Sequence, residues 1–252
     1  MQPPVGAPDW LAVITAAESA ALWERAREEH IFDELWPEYN RHGNHAPHYF
    51  SAIYPRHAHL QALLVDRRTG ELAGRARTIP FAWDGSLEDL PAGIDAMGRR
   101  AVDDPRTPNT LSALAAEVLH VYQGAGLSRV VIEVMAAMAR SSGLDRLLAP
   151  VRPNQKHLYP LTPIERYAHW KRPDGLPFDP WLRVHVRLGG TAVRCERHSM
   201  EINAPVPDWE AWTSMTFPED GDYVFPEGLA PLRVKHGTGA YWEPNVWVLH
   251  GT

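Results

Sequence analysis

The apolar residues in the middle of the chain fall into two runs separated by a turn. The first run covers residues 115–121 and has the length of a buried strand, whereas the second covers residues 130–139 with the spacing of a helix. Gly124 and Gly126 lie between the runs and favour a turn. The pattern therefore predicts a strand, a glycine turn and a helix in direct succession over residues 113–139.

Segments on either side predict further elements. Thr15 and Glu18 have the spacing of a capping box and apolar residues follow at helical intervals, so two helices are expected in the first forty residues. Residues 84–110 contain several prolines and glycines and should form mostly loop. The remaining predictions are a strand hairpin at 60–66 and 71–83, strands at 147–151, 191–197 and 198–202, and helices at 163–170 and 179–190.

Composition limits the class of protein. The 252 residues are 44% hydrophobic and 22% charged, which suits one large globular domain or one domain with an appendage. No stretch approaches the roughly twenty apolar residues of a membrane span, and the first residues lack the features of a secretory signal, so neither membrane association nor secretion is expected. A net charge of −6 with scattered arginines argues against a nucleic-acid partner. The single cysteine, Cys195, excludes a disulfide framework and suits a reducing cytoplasm.

The turn Gln123-Gly124-Ala125-Gly126-Leu127-Ser128 has the chemistry of a phosphate-binding loop. Its glycines accept backbone angles that other residues resist, and the first amides of the following helix have no acceptor within that helix. No Lys-Ser/Thr pair follows the last glycine, so the loop is not a Walker P-loop, and its spacing differs from that of a dinucleotide-binding Gly-x-Gly-x-x-Gly. A purely structural glycine turn is the alternative interpretation.

The same six residues match the pattern Gln/Arg-x-x-Gly-x-Gly/Ala that closes the pyrophosphate loop of the GNAT acyltransferases, with Ser128 at the last small position. The chain therefore resembles a GNAT protein, and the order of the elements over residues 60–202 agrees with that family. The resemblance implies an α/β (α+β) fold with a mixed, mostly antiparallel central sheet flanked by helices. It also implies transfer of an acyl group from acetyl-CoA, or another acyl-CoA, directly to an amine of a small molecule.

The resemblance suggests a domain organisation. Residues 1–202 would form the acyl-CoA-binding domain, with an insertion at about residues 152–179, and residues 203–252 would add a β-rich extension packed on the same domain. The extension holds several tryptophans, whose expected role is core packing because each buries a large apolar area. A wall of the acceptor pocket and a homodimer contact are the alternatives for this segment.

Cofactor contacts follow from the same resemblance. The strand before the loop would hold the pantetheine along its backbone at Val118, Leu119 and Val121. Asn154 would approach the cofactor from beyond the next strand. The pyrophosphate would lie on the loop residues Gln123, Gly124, Ala125, Gly126, Leu127 and Ser128.

Three residues are candidates for proton transfer. Glu117 is a charged residue in an apolar strand, where burial beside a cleft would raise its pKa toward that of a useful base; a strand residue that faces solvent or pairs with an arginine is the alternative. His120, near the end of the strand, could take a proton at neutral pH or have a packing role. His185 stands four residues before Gly189, where many GNAT enzymes have a tyrosine beside the cofactor sulfur, so an imidazolium there could protonate the thiolate. A packed helix histidine is the alternative.

Five histidines that precede or begin the first hairpin raise the question of a metal site. Three imidazoles with an open position would suit catalytic zinc, but no carboxylate or further histidine stands at a diagnostic spacing. No metal is therefore expected, and contacts with substrate or solvent are the preferred interpretation. The five are His42, His45, His48, His57 and His59.

Two other classes of function stay open at this point. A GNAT-fold module could bind CoA or an acyl carrier without catalysing transfer, because only the glycine loop matches a sharp motif. A metal-dependent hydrolase is a more distant alternative, based on the histidines alone. Thioester turnover would indicate the enzyme, CoA binding without turnover the module, and zinc binding without CoA the hydrolase.

Overall fold

In the computed structural model, which describes residues 1–251, nine strands form a single open sheet in the order β1-β2-β3-β4-β5-β9-β8-β7, with β6 paired to the other edge of β9. Neighbouring strands are antiparallel except β4 and β5, which are parallel. This is the mixed, mostly antiparallel α/β architecture that the resemblance implies. The strands are β1 (Leu11–Thr15), β2 (Ala62–Asp66), β3 (Leu72–Phe81), β4 (Thr110–Val118), β5 (Arg146–Val151), β6 (Thr191–Pro205), β7 (Gly221–Tyr223), β8 (Leu232–Lys235) and β9 (Thr238–Gly251).

Helices cover both faces of the sheet. Alternate residues of β2 point to opposite sides, so Ala62 and Leu64 pack under α4 while Leu63 and Val65 join the aromatic-rich core beneath α1, α2, α3 and α7. The apolar stripe of α4 supplies the largest share of the core beneath this helix. The helices are α1 (Ala20–Glu28), α2 (Ala46–Ala52), α3 (Gly93–Asp103), α4 (Leu127–Ser141), α5 (Ile164–Ala168), α6 (Pro180–Arg187) and α7 (Val206–Thr213). No helix within residues 1–251 combines the length and apolarity that a bilayer span requires.

The two parallel strands at the centre of the sheet separate after a short contact. β4 and β5 pair only over Thr110–Ser112 and Arg146–Leu148. Immediately afterwards the pairing of β4 with β3 skips Leu114, a bulge of the kind that bends a strand. β5 instead continues along β9 to Val151. A gap therefore opens between β4 and β5, and the backbone of β4 that faces the gap has no neighbouring strand.

The C-terminal segment is part of the sheet. β9 pairs with β5, β8 and β6, and Trp209, Tyr241 and Trp247 are buried. The boundary predicted between residues 202 and 203 falls inside β6, so the segment is not a separable extension. Core packing of the tryptophans in this segment was predicted from the sequence, because each such side chain buries a large apolar area.

Several local predictions need correction. The first forty residues contain the edge strand β1 and one α-helix instead of two helices. The capping-box residues Thr15 and Glu18 do bond to each other, but they close a turn. The residue that caps α1 is Ser19. The proline-rich stretch at 84–110 includes α3, which has a strongly amphipathic pattern despite its flanking prolines. The two closing strands are one strand, β6, with an irregularity between Glu196 and Met200.

Candidate active site

A cleft of about 460 Å³ lies where β4 and β5 separate. Its walls are the backbone and side chains of residues 113–118 on β4, the end of β5, the first turns of α4 and two residues of α6. Because the facing edge of β4 is unpaired there, its backbone groups are available to an extended ligand, as in the addition of a strand to a sheet. The cleft is therefore shaped for a molecule that lies along β4.

The glycine loop closes one end of this cleft. Gly124 and Gly126 have φ angles of 82° and 79°, which L side chains rarely adopt, and a Cβ at either position would meet open space, so the conformation and not crowding requires glycine. Among residues 1–251, no acceptor bonds to the backbone amides of residues 124–128. The five N–H groups of the loop and of the first residues of α4 are thus without an acceptor, which is typical of a site for an anion such as a phosphate.

A second cavity of about 330 Å³ lies beyond the gap, toward α2 and α3. It is lined by apolar side chains together with polar and charged side chains from distant segments, and it shares a wall with the cleft. Ala115 of β4 and Pro150 of β5 belong to both spaces, as do Trp36, Leu114 and Arg152. A ligand in the cleft and a ligand in the second cavity would therefore meet at the gap between the two strands.

Comparisons with known proteins agree with this architecture. An arginine N-acetyltransferase, avaD, from Aspergillus versicolor is 29% identical to the chain, and the match covers 98% of this chain and 96% of that protein. The loading GNAT-like domain of CurA from Lyngbya majuscula superposes with a TM-score of 0.60 over 96% of this chain and 98% of that domain, at 15% identity. The chain is thus similar in sequence to an N-acetyltransferase and in fold to a GNAT-like domain, which supports the expectation of a GNAT acyltransferase. No protein-family model matches the sequence.

Several of the predicted cofactor residues line the cleft of this GNAT fold. The residues that line it are Val118, Gln123, Gly124, Ser128 and Asn154. The side chain of Leu127 is buried, and its backbone amide is one of the free amides at the start of α4. Ala125 and Gly126 lie in the exposed loop.

Two residues assigned to the pantetheine strand lie elsewhere, because β4 ends at Val118. Leu119 donates its backbone N–H to the carbonyl of Ala73 on β3. Val121 is 85% exposed on a 3₁₀ turn. Neither lines the cleft, so the strand contact is shorter than the apolar run at 115–121 suggests.

Glu117 is buried in an ion-pair network, which reverses the predicted direction of its pKa shift. Arg75 bonds both carboxylate oxygens at 2.7 and 2.9 Å, and Arg77 and the indole of Trp36 bond Oε1 at 3.0 and 2.8 Å. Burial works to raise the pKa of Glu117, but the charges of Arg77 and Arg75 and these hydrogen bonds outweigh it and lower the pKa to about 2. At neutral pH a carboxylate with so low a pKa is a weak proton acceptor, so Glu117 does not suit the role of general base expected from the sequence.

His120 is placed at the mouth of the cleft. It lies on the 3₁₀ turn after β4, lines the cleft and accepts a hydrogen bond at Nδ1 from the side-chain amide of Gln123 at 3.1 Å. In the neutral ring Nε2 therefore bears the proton. The structure brings His120 beside the loop, on the cofactor side of the gap.

His185 lines the same cleft from α6, but it is not an imidazolium. The helix begins at Pro180 with the predicted cap, Asp179, and turns His185 into the interior, where it is 3% exposed. Burial, with repulsion from His250, lowers the pKa of His185 to about 3. The ring is neutral at physiological pH, so the expectation of a charged acid at this position needs correction.

The partner of His185 determines which ring nitrogen has the proton. The Nδ1 of His185 lies 2.8 Å from the Nε2 of His250, and His250 also bonds the backbone of Leu188. A carbonyl can only accept, so His250 donates its Nδ1–H to Leu188 and accepts at Nε2 from His185. The buried Nε2 of His185, which has no partner within residues 1–251, is then a hydrogen-bond acceptor facing the cleft.

Three of the five candidate histidines have separate partners. Within residues 1–251 no three histidine, cysteine or acidic side chains are grouped as a metal ion would require. His42 stacks on Trp212 and bonds Glu38, while His45 and His48 pair separately with Glu201 and Asp103. None of the five histidines lines the second cavity; the α2 residues Ala46, Pro47, Tyr49 and Phe50 between them do.

The sequence pattern does not predict that charged residues line the second cavity. Arg75 and Arg77 alternate on β3, a strand that is otherwise almost entirely apolar, and this was the available signal. Arg152 follows β5, and Glu243 lies on β9, 91 positions away in sequence, where it bonds Arg152. Nothing in the spacing of such remote residues indicates that they meet.

Proposed function

We propose that this GNAT protein transfers an acyl group, in the first instance acetyl, from acyl-CoA to an amine of a small molecule. The observation on which the proposal depends is that the cleft along β4 and the charged second cavity meet at Ala115 and Pro150. A donor and an acceptor bound on opposite sides of the gap would be held next to each other, which converts a bimolecular reaction into a local one.

The cofactor would occupy the cleft. Its pyrophosphate would bind the free amides of residues 124–128, where the start of α4 adds a favourable dipole. Its pantetheine would pair with the unpaired edge of β4 over residues 113–118, and its acyl group would reach the gap. The Nε2 of His185 would accept a hydrogen bond from the cofactor.

The reaction is a direct transfer. The lone pair of a neutral amine attacks the thioester carbonyl carbon, a C–N bond forms and the C–S bond breaks. The amine loses one proton and the departing CoA thiolate gains one, so the products are an amide and a thiol. Glu117 is too weak a base to accept the proton, because Arg75 and Arg77 lower its pKa; its role would be to position Trp36 and both arginines at the junction.

The acceptor would bind in the second cavity. The relative from Aspergillus versicolor is named for arginine, and the charged lining here is consistent with a small polar acceptor. L-arginine is therefore the first acceptor to test.

Calorimetric titration with CoA and acetyl-CoA, followed by a thiol-release assay with L-arginine and other amines, tests the proposal. We expect binding of both cofactors and amine-dependent release of CoA with formation of the N-acetyl product by mass spectrometry. Binding without release in the presence of any amine would favour a non-catalytic CoA-binding module. Absence of CoA binding would refute both the acyltransferase and the CoA-binding module.

A further inference from the structure

Two of the four arginines that line the second cavity share one carboxylate. Arg41 pairs with Asp33 at 2.9 Å and with Glu38 at 3.0 Å, and Arg152 pairs with Glu243. Arg75 holds Glu117 through two bonds, and the fourth arginine, Arg77, contacts the same carboxylate. Arg75 and Arg77 together therefore carry one positive charge more than Glu117 neutralises.

Arg77 has only a shared partner. Its Nη2 reaches Oε1 of Glu117 at 3.0 Å, an oxygen that also accepts from Arg75 and Trp36. Its Nε is buried and has no hydrogen-bond partner within residues 1–251. A buried donor without a protein partner is costly, so an acceptor from water or from a ligand in the cavity is expected at this atom.

The guanidinium of Arg77 is held in place. Its central carbon lies 4.5 Å from the ring centroid of Phe50, and the side chain is 20% exposed, within the cavity wall. Burial lowers the pKa of Arg77 to about 10, although the charge of Glu117 acts in the opposite direction, so the side chain remains a cation at neutral pH. A fixed, partly desolvated guanidinium is a strong site for a planar anion.

We propose that the acceptor is an amine that also bears a carboxylate, namely an amino acid, and that Arg77 binds this carboxylate. The proposal rests on the proposed function. The planar donor fork of arginine matches the two oxygens of a carboxylate, and the reduced solvent access strengthens the attraction. Arg41, Arg75 and Arg152 keep their present carboxylate contacts and do not need to rearrange.

The position of Arg77 also selects the amine that reacts. Arg77 lies directly opposite Ala115 in the β3–β4 ladder, and Ala115 lies in the wall that the cavity shares with the cleft. In an α-amino acid the amine and the carboxylate are attached to one carbon. A carboxylate bound at Arg77 therefore brings the α-amine to the gap, and a basic side chain would extend away from it.

Matched acceptor pairs test the proposal. L-arginine and agmatine share the guanidinium and the reacting amine and differ in the carboxylate; L-ornithine with putrescine and L-tyrosine with tyramine are further pairs. We expect kcat/KM for the best carboxylate-bearing member to exceed that of its partner by about 10- to 100-fold, mainly through KM. The product should be the Nα-acetyl amino acid. A preference for the decarboxylated amines, or acyl transfer to amines but to no amino acid, would overturn the proposal.

Variants of Arg77 connect the preference to this side chain. Arg77→Met should reduce the ratio of the two kcat/KM values toward one while the dissociation constant of acetyl-CoA stays unchanged, and Arg77→Lys should restore part of the ratio. Arg233→Met, an exposed arginine paired with Asp222, is the matched control and should keep the wild-type ratio. An unchanged ratio in a folded Arg77→Met protein would refute the assignment.

Equilibrium binding separates failure of this inference from failure of the proposed function. If no acyl transfer occurs at all, calorimetry of L-arginine and agmatine with the full-length protein still measures the preference. Tighter binding of L-arginine that disappears in Arg77→Met supports the carboxylate site even in a non-catalytic protein. Equal binding of L-arginine and agmatine, or binding of neither, overturns the assignment of the carboxylate site to Arg77.

Discussion

The cleft along β4 and the charged second cavity are built in different ways. The cleft uses backbone groups from one continuous stretch, residues 113–128, in which a separated strand leads into a glycine loop and a helix start. The second cavity uses side chains from segments that are far apart in sequence, among them Arg77, Arg152 and Glu243. A site made of contiguous backbone can be conserved by a short motif, whereas a site made of distant side chains can change its ligand by a few substitutions.

The largest expected effect is on the fold that both sites share. Deletion of residues 203–252 removes β9, which pairs with β5 and supplies Glu243 to the second cavity. It also removes the buried Trp209, Tyr241 and Trp247, each worth about 1.5–3 kcal/mol of burial against a typical total stability of about 5–15 kcal/mol. We expect insoluble or molten protein in circular dichroism and thermal melts. A truncated chain that melts cooperatively at the full-length temperature would contradict the shared fold.

The second expected effect is on the ion-pair network between the sites. Glu117→Gln leaves Arg75 and Arg77 buried without their carboxylate, and we expect the free energy of unfolding to fall by about 3 kcal/mol in denaturant titration. Asp222→Asn, which removes an exposed partner of Arg233, is the control and should change little. A stable Glu117→Gln protein would mean that the two sites are not linked through this network.

The same carboxylate predicts a direction for acid sensitivity. Its pKa is about 2 in the folded chain, below the ordinary value of 4.5, so its contribution to stability is complete above about pH 4.5 and is lost as the pH falls toward 2. Wild-type protein should therefore lose more stability over this range than Glu117→Gln. Parallel curves for the two proteins would show that Glu117 is not ion-paired in solution.

The third expected effect is confined to the cleft. Gly126→Asp places an anion where the pyrophosphate should bind and a side chain at a positive φ, so we expect CoA affinity to fall about 100-fold in calorimetry. Gly175→Asp introduces the same residue at a φ of 78°, also in open space, and is the control for backbone strain. If the two variants bind CoA equally well, the loop does not hold the phosphates.

The sequence was most informative where the backbone provides the chemistry. The glycine loop, β5, and α6 with its Asp179 cap follow from local rules of turn, strand and helix formation, and the structure has them at the predicted places. The short edge strand β1 was missed because five alternating residues are a weak signal. The strand β4 was extended too far because its apolar residues continue into a 3₁₀ turn.

Properties that depend on tertiary neighbours could not be predicted from the sequence. Arg75 and Arg77 on the neighbouring strand lower the pKa of Glu117, whereas the apolar sequence around Glu117 suggests that burial raises it. The neutral state of His185 is likewise set by burial and by His250, 65 positions away. The pairing of strands determines both, and no short pattern records it.

The smallest expected effect tests whether His185 belongs to the cleft as an acceptor or as an acid. A neutral ring that accepts one hydrogen bond contributes about 0.5–1.5 kcal/mol, so His185→Phe should weaken cofactor binding or turnover by no more than about tenfold. Because its pKa is about 3, no titration of His185 should appear in the pH profile of kcat between about pH 5 and 9, in wild type or variant. His236→Phe, on an exposed turn, controls for loss of a histidine. A loss of turnover of about 100-fold with unchanged CoA affinity, together with loss of a pH-dependent limb of the profile, would indicate a charged acid instead and would make α6 a catalytic element.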